Sequence, residues 1–161
     1  MQNPSYLALT TDKKFIYSVN QNDSSSTISA FQFDEINSQL KLFNKVNAKG
    51  EGPCFISVSN KNFFTANYTS GSLKVFGRKT DGTLTNAFQV IQHVGKSINS
   101  ERQNEPHVHQ VILTPDKKYL LANDLGTDKV TVYQYHPGVS ANILIPYPIL
   151  QLKSVKLSKF D

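Results

Sequence analysis

At 161 residues, 39% of them hydrophobic and only 18% charged, the chain has the apolar mass of one folded domain and not the composition of a disordered one. No apolar run approaches the roughly 18 residues of a bilayer-crossing helix. The start, MQNPSYLALTTDKK, lacks a signal-peptide pattern, and the one cysteine, Cys54, excludes a disulfide framework or a Cys-rich zinc module.

The elements follow one another as short apolar runs separated by turn residues, and they repeat. The first copy runs NPSYLALTTDKKFIYSVN (Asn3 to Asn20), then TISAFQF (Thr27 to Phe33) and LKLFNKV (Leu40 to Val46). The second is GPCFISVSNKNFFTANYTSGSLKVF (Gly52 to Phe76), with AFQVIQHV (Ala87 to Val94) after an Asp81-Gly82 turn. The third is EPHVHQVILTPDKKYLLANDLGTDKVTVYQY, from Glu105 to Tyr135. Asp12 and Asp116 hold the same place in TDKKF and PDKKY, so the lysine pairs that follow them read as solvated hairpin tips.

Within each copy the alternation is that of β-strands, and no segment has helical spacing over ten residues. Four short strands repeating at about 50 residues predict an all-β chain built of β-propeller blades. The predicted blades span 3–46, 52–94 and 105–135, all in one domain of 1–161. Residues 137–161 fit no blade and read as the start of a further one or an irregular tail. The chain contains no Trp, which disfavours the WD40 variety.

The two strings GEGPCFISVSNKNFFTANYTSGSLKVF and ERQNEPHVHQVILTPDKKYLLANDLGTDKVTVYQY, with DGTL at Asp81 to Leu84 and NPSYLAL near the start, resemble the propeller-type 6-phosphogluconolactonase family. The Arg-Gln, Pro-His-x-His and Asp-Leu-Gly-Thr-Asp blade is the most distinctive match. The resemblance implies a seven-bladed propeller and hydrolysis of a sugar lactone, 6-phosphogluconolactone above all, in the pentose phosphate route. It implies no cofactor. A related fungal muconate-lactone cyclase has the same fold, so a lactone-forming enzyme and a non-catalytic, protein-binding propeller are the alternatives. Two departures stand out: a shortened turn at Ser59 to Asn62, and the absence of the Gly-Pro-Arg-His stretch that follows in the family.

Opening a lactone needs a water, a base and positive groups for the oxyanion. The stretch Ser100 to His109 concentrates such groups ahead of a strand expected at the inner edge of its blade. His107 and His109 share one side of that strand, as a donor-and-base pair or hydrogen-bonded wall residues. No metal site is expected, since a third ligand is not evident in sequence. Arg102 is the expected phosphate or oxyanion partner, or else a salt-bridge partner of Glu101 or Glu105. Glu101 and Glu105 are candidate bases. Gln103 and Asn104 bind sugar hydroxyls or cap the loop.

Asn20, Asn67 and Asp124 read as turn formers. Cys54 takes the place of His107 in the second copy and reads as a small buried thiol.

The +5 net charge is scattered, without the basic stripe and interleaved aromatics of nucleic-acid binding, and with Arg102 and the histidines it suits an anionic sugar lactone. No nucleic-acid or membrane partner is expected. The remaining blades would come from another chain or further sequence. A cytoplasmic location is expected, with a periplasmic one if the native N-terminus lies upstream.

Overall fold

The repeated Thr/Ser-x-Asp/Asn turns impose the first order on the chain. Thr10 Oγ1 accepts the Phe15 N–H at 3.1 Å and Asp12 Oδ1 accepts the Lys14 N–H at 3.2 Å. In the third copy Thr114 Oγ1 accepts from Tyr119 at 3.1 Å and Asp116 Oδ1 from Lys118 at 3.1 Å. Lys13 and Lys117 both sit at positive φ, 57° and 56°, which this tight reversal requires. In the shortened middle turn Ser59 Oγ alone accepts from Lys61 and Asn62, at 3.3 and 2.9 Å.

The computed structural model describes residues 3–138 and 141–147. They form three antiparallel four-stranded sheets with strands in sequence order. The first holds β1 (Pro4–Leu9), β2 (Phe15–Asn20), β3 (Thr27–Asp34) and β4 (Gln39–Asn47). The second holds β5 (Pro53–Val58), β6 (Asn62–Asn67), β7 (Ser72–Arg78) and β8 (Leu84–Gln92). The third holds β9 (Val108–Leu113), β10 (Tyr119–Asp124), β11 (Lys129–Tyr135) and β12 (Leu144–Pro146). The first strands β1, β5 and β9 adjoin one another, so each sheet turns its first strand inward.

The fourth strand of the third sheet comes from 137–161, the segment that reads in sequence as the start of a further blade or an irregular tail. Leu144–Pro146 pairs with Tyr133 to Tyr135, and Gln89 of the second sheet holds it. The Gln89 Oε1 accepts from the Ile143 and Leu144 amides at 3.0 Å, and its Nε2 donates to the Leu144 carbonyl at 2.8 Å. Such a strand carries no periodic signal because a side chain 55 positions away anchors it. Residues 139, 140 and 148–161 of that segment lie outside the described residues.

Two apolar cores lie between the sheets. Tyr17, Val19, Ile28, Phe63 and Phe76 fill the first, and Phe64, Leu73, Val111, Leu120 and Ile143 the second. Tyr17 also crosses its interface to donate to the Gly82 carbonyl at 2.8 Å while accepting from Arg78 Nε. A full core on both sides of the second sheet buries its two middle strands, β6 throughout and β7 up to Arg78. The outer faces are different. Leu7, Leu9, Leu40 and Leu42 are 49–59% exposed on the face of the first sheet turned away from the second. Ile112 and Ile145 are exposed on the far face of the third.

Candidate functional site

Each inner strand carries a β-bulge near its start, and the ladder register shows which residues are equivalent. Pro4 pairs with Asn20 and Tyr6 with Val19; Pro53 pairs with Asn67 and Phe55 with Ala66; Val108 pairs with Asp124 and Gln110 with Asn123. The residues skipped are Ser5, Cys54 and His109. Cys54 therefore corresponds to His109 and not to His107, as the matching prolines Pro53 and Pro106 imply in sequence. A bulge re-aims the extra side chain, and here it aims it at the neighbouring inner strand. Ser5 Oγ donates to the Pro53 carbonyl at 3.2 Å, and Cys54 Sγ lies 3.3 Å from the His109 carbonyl. Burial pushes the Cys54 thiol up to about 11, leaving a protonated side chain.

His107 is held from three sides. The Tyr68 ring, from the turn after β6, stacks on its imidazole with centroids 4.4 Å apart and planes 10° from parallel. His107 Nδ1 lies 3.2 Å from the Tyr68 carbonyl, and its backbone N–H donates to Asp124 Oδ1 at 2.8 Å. His109 meets the edge of the same Tyr68 ring at 5.7 Å. Both imidazoles thus face one tyrosine. A carbonyl only accepts, so the proton of neutral His107 resides on Nδ1 and the Nε2 lone pair is open.

Behind His107 lies a buried relay. Asp124 Oδ1 also accepts from the Gly126 and Thr127 amides at 3.0 and 3.3 Å, while Oδ2 takes His93 Nδ1 at 2.8 Å. His93 Nε2 is 2.9 Å from the Tyr133 hydroxyl. Burial pushes the Asp124 carboxyl up, but the bonds from His93 and the His107 amide together outweigh it and hold the group below 3.8. Burial, then Asp124, raise the Tyr133 phenol to about 12. Two close approaches fix this corner. A Cβ on Gly126 would stand 1.9 Å from the Glu105 carbonyl, and Gly71, at φ +57°, packs against Pro106.

The loop ahead of β9 divides the other predicted residues. Gln103 is buried, and its amide donates to the Leu125 carbonyl at 2.8 Å and Asp128 Oδ1 at 2.6 Å while accepting from the Asn99 N–H. These bonds dock the loop against the turn after β10. Asn104 turns back to the Ser100 carbonyl. Glu101, Arg102 and Glu105 are exposed. Among the described residues the ion pairs are His93–Asp124 and Lys118–Asp116, so the Arg102 guanidinium is not bridged to either glutamate. Among those residues, too, no three His, Cys, Asp or Glu side chains gather as metal ligands, and no helix is long and apolar enough to cross a membrane.

The sequence alone assigns no role to Tyr68 or Tyr133, offers His93 only as a metal ligand that it cannot place, and marks Asp124 as a turn former. Its bonds to the Gly126 and Thr127 amides are those of a turn former; the bonds to His93 and His107 come from the fold.

The family model for the seven-bladed β-propeller lactonases matches residues 1–154. The chain belongs to this lactonase family. It is 37% identical over 139 residues to a 6-phosphogluconolactonase of Bacillus subtilis, covering 85% of this chain and 40% of the relative. A crystal structure from Bacteroides fragilis, provisionally assigned as a 6-phosphogluconolactonase, superposes with a TM-score of 0.85 at 40% identity, over 92% of this chain and 45% of that one. A periplasmic gluconolactonase of Pseudomonas aeruginosa gives a TM-score of 0.79 at 32% identity, over 92% and 46%. The chain thus spans less than half the length of these lactonases. The predicted propeller architecture agrees with both the family and the three sheets.

Proposed function

We propose that this chain contributes the His107–His109–Tyr68 wall of a site that hydrolyses a sugar lactone, 6-phosphogluconolactone to 6-phosphogluconate in the first place. The observation that carries the reading is the fixed His107 imidazole, which has its Nδ1 against the Tyr68 carbonyl and its Nε2 free. Nε2 takes a proton from water, the hydroxide attacks the lactone carbonyl carbon, and the oxyanion collapses with cleavage of the ring C–O bond. The departing ring oxygen takes the proton back, giving a hydroxyl and a carboxylic acid that ionises. No electrons change hands.

His109 and Arg102 supply positive or donating groups for the oxyanion and the phosphate, and Glu101 is the alternative base. The exposed leucines of the first sheet and isoleucines of the third pack against further propeller blades, which complete the other side of the site. A cytoplasmic compartment fits the pentose phosphate substrate; the Pseudomonas aeruginosa relative favours the periplasm as the second reading.

The test is the rate of acid release from 6-phosphogluconolactone above the spontaneous rate, using the chain together with the blades it packs against. His107→Gln is expected to lower the catalysed rate by about 10²-fold or more. Undiminished catalysis in His107→Gln combined with Arg102→Ala overturns the site. Neutral gluconolactone competing as well as 6-phosphogluconate overturns the anionic substrate.

A further inference from the structure

The core between the first and second sheets contains a polar patch where apolar packing is expected. Phe63, Thr65 and Asn67 share one face of β6, and their ladder partners Phe76, Lys74 and Ser72 share that face of β7. Phe63 and Phe76 belong to the core against the first sheet. The four polar residues beside them are buried: Thr65, Asn67 and Ser72 are 0% exposed and Lys74 3%. Lys74 Nζ donates to Ser72 Oγ at 2.8 Å, and Ser72 Oγ is 2.9 Å from Ser70 Oγ.

This patch is unbalanced in two ways. Among the described residues no carboxylate pairs with Lys74, and every Asp and Glu of the first two sheets is exposed. Thr65 Oγ1 and both polar atoms of the Asn67 amide are enclosed without a hydrogen-bond partner. The equivalent positions in the flanking sheets are satisfied. Asn20 Oδ1 accepts from Ser29 Oγ at 3.0 Å, and Asp124 accepts from His93 and three backbone amides. Buried polar groups are ordinarily partnered, and a buried charge is costlier still to leave alone. What the patch offers is mostly donors: two remaining ammonium N–H groups, a hydroxyl and the two N–H groups of the Asn67 amide, against one free amide oxygen. Burial lowers Lys74 only to about 8, so the ammonium form persists at neutral pH.

We propose that the interface of the first and second sheets binds a compact inorganic anion of chloride's size and charge between Lys74, Thr65 and Asn67. The site joins two blades and does not rest on the lactonase reading. Its function is to lock the two sheets together, by supplying the negative charge that the interface lacks.

The test is the thermal midpoint of the full chain at neutral pH, with sodium gluconate replaced stepwise by sodium chloride or bromide at constant ionic strength. A saturable rise is expected, about 3–6 °C at tenfold the dissociation constant. It should vanish in Lys74→Met and weaken in Thr65→Val. Crystals soaked in bromide provide a readout that needs no variant, with an anomalous peak expected within hydrogen-bonding distance of Nζ. Equal response in Lys74→Met, no difference between gluconate and chloride, or a bromide-free site filled by water overturns the proposal.

Discussion

Asp124 receives the backbone N–H of His107 at 2.8 Å, across a separation of 17 residues. One carboxylate thereby closes the turn after β10 and holds the start of β9, so the position of the candidate base depends on a group it does not touch through its ring. His93 and Tyr133 extend that support into the core between the second and third sheets.

Replacing Asp124 with Asn removes a charged acceptor from four donors and should cost about 2–3 kcal/mol. The folded carboxyl is held below its unfolded 3.8, so its contribution is present above that value and is lost as the pH falls through the lower folded value. Urea midpoints of the two proteins should therefore differ at neutral pH and converge below about pH 4. A constant gap down to pH 2 would contradict the assignment.

Tyr68 meets His107 through its ring and its backbone carbonyl. Tyr68→Phe should leave lactone hydrolysis unchanged, whereas Tyr68→Ala should slow it about 3- to 10-fold, the worth of one aromatic stack. Steady-state rates on 6-phosphogluconolactone for both variants check this; a loss in Tyr68→Phe would assign the phenol a direct role.

Gly126→Ala should be among the most damaging single-methyl changes in the chain. Its Cβ meets the Glu105 carbonyl, which is backbone and cannot swing aside, so the segment carrying Pro106 and His107 must shift. We expect a loss of about 2 kcal/mol or more, measured by urea unfolding, together with loss of activity. Wild-type stability would show that the loop yields freely.

Cys54 should resist thiol reagents. Burial raises its thiol to about 11, so at pH 8 the native protein should react with a disulfide reagent far more slowly than the urea-unfolded chain. Equal rates would mean the inner strands open readily at the bulge.

Strand content and the tight turns are legible along the chain because they depend on residues within five positions of one another, and the repeat shows because each copy spells the same turns again. Thr10 with Asp12 and Thr114 with Asp116 make the same bonds for the same local reason. The family was legible too, in strings that include Pro-His-x-His. That Gln103 is a buried staple, that Leu144–Pro146 closes the third sheet and that Cys54 matches His109 emerge from the packing of the sheets. A bulge shifts register without marking the sequence, and a partner such as Tyr68 lies 39 positions from His107. Alternation and turn chemistry are properties of neighbours along the chain; a site is a property of neighbours in space, and those are chosen by how the sheets pack.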